Sequence, residues 1–410
     1  MLLGLALLCG GCGRGGPEKE AGEPKYKEKT LSEWRAQLLH REAWARADAA
    51  QALAAIGPEA VPVLREALRV ARGQVRADAA YALGRIGPKA EPAIPDLRKA
   101  LRDRDGDVRG TAARALGRIG PKAEAAVSDL RKLLQDEYSY VRQEAAEALG
   151  GIGAEAIPAL IEALESEDER VVRKAADALG KLGAEAKGAS AELHRKLQDE
   201  DWGVRASAAR ALGLMGGEAQ QAIPELATAL EDVDYRVRSA AADALGKMGL
   251  EAVPALQAAL PDEDPNVRRE AAYALGQIGP EAMEALPLLR DLLEDEDSSV
   301  CREAALAMGR MGPDAVPQLE EVLQSENEHV RCLAALALGT IGPEAKAAIP
   351  ALAKALRDED RNVRREAAHA LGLMGPEAEE AIPDLKTALK DQDWRARAAA
   401  AEALGRIASP

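Results

Sequence analysis

Apolar positions in this chain recur at spacings of three and four, and the pattern itself repeats. Residues 267–282 read VRREAAYALGQIGPEA and residues 363–378 read VRREAAHALGLMGPEA, 96 residues later. Within such a stretch Val, the first Ala, Leu and Ile share one side of a 3.6-residue helix, which predicts a helix with one buried face. The Gly of each "ALG" serves as a ruler. It stands at Gly84, Gly117, Gly150, Gly180, Gly213, Gly246, Gly276, Gly309, Gly339, Gly372 and Gly405, with Ala54 in the first copy. Successive steps are 30, 33, 33, 30, 33, 33, 30, 33, 30, 33 and 33 residues, so there are twelve copies. Three sets of steps sum to 96, and one set has lost a 33.

Each copy predicts two helices. The second, here the Val-Arg helix, follows an acid such as Asp105, Asp201, Asp264, Asp360 or Asp393. A carboxylate there can accept from free N–H groups at a helix start. Gly-Pro ends it, as at Gly57-Pro58, Gly87-Pro88, Gly120-Pro121, Gly279-Pro280, Gly342-Pro343 and Gly375-Pro376. Glycine supplies the exit and proline cannot continue the ladder. The first helix, here the Pro helix, carries Ile94-Pro95, Ile223-Pro224, Ile349-Pro350 or Ile382-Pro383 near its start. The three extra residues of a long copy fall just before this Pro. They are expected to alter the loop edge and leave the packed faces alone. At the start of the array Thr30 and Glu33 have capping-box spacing, and Leu31, Trp34 and Leu38 can shield the end of the stack.

A lone pair cannot bury both apolar faces, whereas stacked pairs can. The fold class expected for residues 30–408 is therefore all-α, an α-solenoid of twelve helix pairs. Composition agrees: Phe is absent and only 2% of residues are aromatic, so Ala and Leu must do the packing. The net charge of −15 repels nucleic acid and anionic headgroups. Cys301 and Cys332 sit on neighbouring copies about 10 Å apart, too far for a disulfide, and are expected as two thiols. Residues 1–12, MLLGLALLCGGC, resemble a bacterial lipoprotein signal ending in a lipidated Cys12. No Lys or Arg precedes the apolar run, which is short. Residues 13–29 are Gly, Pro, Glu and Lys, with the composition of a flexible tether.

The string D-x-x-V-R-x-x-A-A-x-A-L-G at 30–33-residue spacing resembles the HEAT repeat superfamily. In detail it is similar to the short, Ala-Leu-Gly-rich type called phycobilisome-lyase HEAT-like repeats. The resemblance implies that the Val-Arg helices line a concave face and the Pro helices a convex one. It also implies an Asp–Arg ladder along the stack. Arg stands in ten copies: Arg46, Arg76, Arg109, Arg142, Arg205, Arg238, Arg268, Arg331, Arg364 and Arg397. Val172 and Cys301 take its place in the other two, where a broken, softer ladder is expected.

Chemistry is sparse. His40, His194, His329 and His369 never stand four apart, and the acidic run Asp103–Asp107 has Val108 and Arg114 where a calcium loop needs Gly and Glu. No cofactor, metal or catalytic group is expected. Counting the ladder Arg as zero, the set of positions +1, +2, +5 and +9 lies away from the packed face and varies most between copies. Two clusters follow from it: Tyr81, Arg85, Arg114 and Arg118 as a basic aromatic patch, and Tyr273, Leu306, Leu333, Leu336 and His369 as an apolar run. Loop-edge packing is expected of Trp44, Tyr138, Tyr140, Trp202, Tyr235 and Trp394.

The function these features imply is a non-enzymatic, monomeric scaffold. It binds a protein or peptide through the Val-Arg face, and it is held at the bacterial envelope through a lipid on Cys12. The alternatives are an accessory subunit of a bilin lyase, detectable as pigment-dependent absorbance, and a structural spacer without a ligand. A cytoplasmic location is the alternative to the envelope.

Overall fold

The computed structural model describes residues 23–408. The predicted signal and Cys12 lie outside the described residues. The chain divides into two compact units, residues 1–115 and 116–410, and each is a stack of helix pairs.

The first unit opens on a feature absent from the sequence reading. Lys25–Tyr26 and Lys29–Thr30 pair as a two-residue antiparallel hairpin. Its turn residues Lys27 and Glu28 have φ of 47° and 66°. The hairpin folds back on the helix Leu31–Leu38: the Trp34 indole donates to the Tyr26 carbonyl at 3.0 Å, and Leu31 N donates to Pro24 O at 3.0 Å. The tether boundary at 29 is therefore corrected, because residues 23–29 belong to this end piece. Trp34 and Leu38 are buried and the Thr30–Glu33 capping box forms.

Val-Arg helices such as Gly73–Ile86, Trp202–Met215 and Pro265–Ile278 run 14 residues. Their first turns are capped as expected: Asp201, Asp264, Asp360 and Asp393 all accept from backbone N–H groups. The closing glycines differ in detail from a left-handed helical exit. Gly57, for example, has φ 89° with ψ −140°, an extended mirror conformation open to glycine and strained for other residues. Pro helices such as Ile94–Ala100 and Ile349–Ala355 are 7 residues long. Between the Val-Arg helix of one pair and the Pro helix of the next runs a 3-10 segment. It has six or seven residues in long copies (Pro121–Ala126, Gly87–Ala93, Gly342–Ala348) and three or four in short ones (Pro58–Ala60, Pro313–Ala315, Gly249–Ala252). The extra residues are thus about one added 3-10 turn.

Within each unit successive Val-Arg helices pack directly on one another. The ruler glycine sits where they touch. A Cβ placed on Gly213 would lie 2.5 Å from Ala244 Cα, and one on Gly276 would lie 2.9 Å from Ala307 Cα. The Gly of one ALG therefore docks on the Ala of the next. In the last copy a Cβ on Gly405 would meet nothing within 4 Å. Gly213→Ala should destabilise by about 1–3 kcal/mol through overpacking, while Gly405→Ala should stabilise by about 0.5–1 kcal/mol through helix propensity. Denaturant midpoints moving in opposite directions would bear this out; two shifts of the same sign would refute the docking role.

The stretch Glu328–Ala355 has the length and hydropathy of a membrane span. It is two helices and a 3-10 segment joined at Gly342, φ 72°, and its apolar side chains Val330, Leu338, Ile349 and Leu352 are core.

Candidate protein-interaction surface

Where a Val-Arg helix carries the ladder Arg, it lies on the loop side of the packed face. The side chain does two things. Its Nη1 donates to backbone carbonyls of its own loop, as Arg268 does to Asp262 O (2.7 Å) and Glu263 O (3.0 Å). Its Nε and Nη2 reach an Asp 27 residues on, in the loop of the next copy. Arg268 meets Asp295 with both oxygens at 2.7 Å, Arg205 meets Asp232, Arg331 meets Asp358 and Arg364 meets Asp391. Arg76 and Asp103 do the same in the first unit.

All five of these clasps span 33-residue steps. Across the 30-residue steps the arrangement fails. Arg46 reaches only Asp78, through one bond, and Arg142 reaches a single oxygen of Asp168. Arg238 leaves its buried Nε without any partner. Cys301 makes only the backbone half, with Sγ donating to Asp295 O at 3.1 Å. Val172 breaks a long step as expected, with Arg173 standing 3.7 Å from Asp201 as a loose substitute. Long and short copies were expected to differ at the loop edge where the extra residues fall; they differ in the acidic loops as well. The loop position six before the Arg is Asp in the long copies and Val70, Ser166 or Ser325 in three of the four short ones.

Burial alone would raise the carboxyls of Asp103, Asp232 and Asp358, but the hydrogen bonds and charge of Arg76, Arg205 and Arg331 outweigh it and hold them below the usual value. A carboxyl depressed on folding contributes stability above its unfolded pKa and loses it as pH falls through the folded one. Stability should be level across neutral pH and decline below about pH 4. Denaturant midpoints measured against pH would check this, and a loss beginning near neutrality would contradict it.

The predicted basic patch is only partly a unit. In the first unit the Arg85 guanidinium donates to the Tyr81 hydroxyl at 3.1 Å and lies 6.0 Å from its ring. Arg114 is exposed in the same unit, and Arg118 is exposed in the second. Of the apolar run, Tyr273 is committed to neighbours. Its hydroxyl donates to Asp243 at 3.1 Å, accepts from Gln277 at 2.8 Å, and its ring faces Arg310. Leu333 is corrected from surface to core, being only 5% exposed. Leu306 and Leu336 are half-buried, and His369 stands 3.8 Å from Glu366.

Leu333 and Leu336 meet in a cavity of about 630 Å³, whose lining also includes Arg302, Cys332, Arg365 and Glu366. Tyr273, Leu306 and His369 are not part of that lining. Arg302, Cys332 and Arg365 were not among the expected contact residues, although positions +1 and +2 were among the variable ones. These read Arg269-Glu270, Arg302-Glu303, Cys332-Leu333 and Arg365-Glu366, so one copy replaces an ion pair by two apolar-leaning side chains. Burial, followed by the charge of Glu366, pushes the Cys332 thiol up to about 11. Cys301 and Cys332 are both free thiols, as expected. A larger cavity, about 930 Å³, opens on the Pro helices, but its Arg331–Asp358 and Arg357–Asp384 pairs satisfy one another.

The loop aromatics also depart from expectation. Trp44, Tyr138, Tyr140, Tyr235 and Trp394 are exposed, because they stand at the cap or the first two positions of a Val-Arg helix, whereas the third position, as at Val141 and Val237, faces the core. Trp202 is exposed too, although the Arg236 guanidinium lies over one face, 3.3 Å from its ring centre.

Comparison with known proteins agrees with this architecture. The profile described as HEAT repeats matches in nine overlapping segments running from residue 31 to residue 410. Among curated proteins no sequence is similar enough to count as a match. Among solved structures the chain is similar to Kap121p, at 17% identity and a TM-score of 0.58, over 92% of this chain and 49% of that one. The structure of Kap121p bound to Nup53p matches at 17% identity and 0.57, over 94% and 50%. The structure described as Kap95p binding RanGDP matches at 15% and 0.58, over 92% and 61%. The chain thus spans between about half and three-fifths of the karyopherins it resembles, and at these identities the likeness is one of fold. An all-α stack of pairs, a Gly-on-Ala contact repeated along it and a profile match over nearly its whole length together place this chain in the HEAT repeat family.

Proposed function

We propose that the chain is a non-enzymatic, monomeric binding scaffold that receives a protein or peptide on the face built by its Val-Arg helices. The observation that carries this reading is the cavity beside Leu336. There a fixed backbone presents apolar side chains and guanidinium groups to solvent at a place where the flanking copies carry Arg-Glu pairs. Karyopherins, which share the fold, are described bound to proteins such as Nup53p and Pho4p, and that supports the reading by analogy of architecture. Panning a phage-displayed library of random short peptides on the full chain should yield binders that no longer bind Leu336→Asp. A spacer without a ligand yields none, and that result would remove the proposal.

The same scaffold is proposed to work at the bacterial envelope, anchored through Cys12. This rests on the sequence MLLGLALLCGGC alone. Labelled fatty acid should appear on the wild type and not on Cys12→Ala. Equal labelling of the two would refute the anchor.

A further inference from the structure

We infer that the cavity beside Leu336 selects an extended peptide segment in which an aliphatic residue is next to Asp or Glu. The inference rests on the binding reading above and goes beyond it by naming the partner chemistry. Three neighbouring copies carry Arg at +1 and Glu at +2. Glu270 is 3.0 Å from Arg269, and Glu366 is 3.7 Å from Arg365. In the copy of Arg302 the acid is diverted: Glu303 takes Arg310 at 3.2 Å instead. Arg302 is exposed and has no acid partner among the described residues, and it lines the cavity.

The floor beside it is uncharged. Leu333 and Leu336 are aliphatic, and the Cys332 thiol stays protonated at neutral pH because burial opposes the thiolate. An aliphatic side chain placed on that floor removes apolar area from water. A carboxylate one residue away then reaches an unpaired guanidinium, whose planar fork suits it. The same lining carries Glu328, Asp360 and Glu366, the last already beside Arg365 at 3.7 Å, so Arg302 is the lining guanidinium left for an incoming carboxylate. A basic residue beside the aliphatic one meets the guanidinium of Arg302 and is disfavoured there despite the net charge of −15.

The test uses the full chain and the same panning. Enriched peptides should carry Asp or Glu beside Leu, Ile, Val or Met. A fluorescent peptide of the consensus should lose about tenfold in affinity when its acid becomes Lys. The exposed substitution Arg302→Glu should reverse that preference, and Leu336→Ser should weaken both peptides. Binders that need Leu336 but ignore the acid swap would overturn this inference and leave the binding reading standing. A complete absence of binders would overturn both.

Discussion

Arg268→Met should lower the unfolding free energy by about 3–5 kcal/mol, whereas Arg238→Met should be close to neutral. Both arginines occupy the same position in their helices, so residue type and local helix cannot separate them. Their surroundings can. The Arg268 and Asp295 side chains are 9% and 7% exposed, and two hydrogen bonds of 2.7 Å join them. Removing the guanidinium leaves a buried carboxylate with no cation and frees the carbonyls of Asp262 and Glu263. Arg238 has no such carboxylate. It keeps its bonds to Asp232 O and Val233 O, but its Nε is already buried without a partner. Its loss therefore removes an unsatisfied donor along with two backbone contacts. Chemical denaturation followed by circular dichroism would compare the two. Equal losses would sink the idea that 33-residue steps are clasped and 30-residue steps are not.

The second large effect is Leu275→Ala, expected to cost about 2–5 kcal/mol. Leu275 is the Leu of an ALG and is wholly buried, so truncation leaves a void that the neighbouring helices cannot close without moving Gly276 off Ala307. Leu404 holds the same position in the last copy but is only half-buried. Leu404→Ala should therefore cost roughly half as much or less. The paired measurement separates stacking from sequence: losses of the same size at 275 and 404 would show that the next copy adds nothing to the burial.

Helices, caps and breaks were legible because they are local. A face at spacings of three and four, an Asp before it and Gly-Pro after it are all written within one copy, and each formed where expected. The hairpin at 25–30 was not legible: two-residue strands show no alternation, and what fixes them is the Trp34 indole, which belongs to the next element. The clasp pattern was written in the sequence but across copies. Asp103, Asp232, Asp295, Asp358 and Asp391 against Val70, Ser166 and Ser325 become meaningful only once residues 27 apart are known to meet. The surface was read less well. Leu333 and Leu336 are three residues apart and look alike, yet one is core and the other half-exposed. The difference lies in the side chains of adjoining helices, which no single copy records. Arg302 was overlooked for the same reason, since its lack of a partner depends on Arg310 having taken Glu303.

The alternation of step lengths has a mechanical side. In the second unit the clasps tie the copy of Arg205 to that of Arg238, the copy of Arg268 to that of Cys301, and the copies of Arg331, Arg364 and Arg397 in a row. Drawn out by its ends in an optical trap, this unit should not shed every hairpin singly. Past the unclasped copies of Arg142 and Val172, it should yield in jumps of two, two and three, with the short steps after Arg238 and Cys301 acting as perforations.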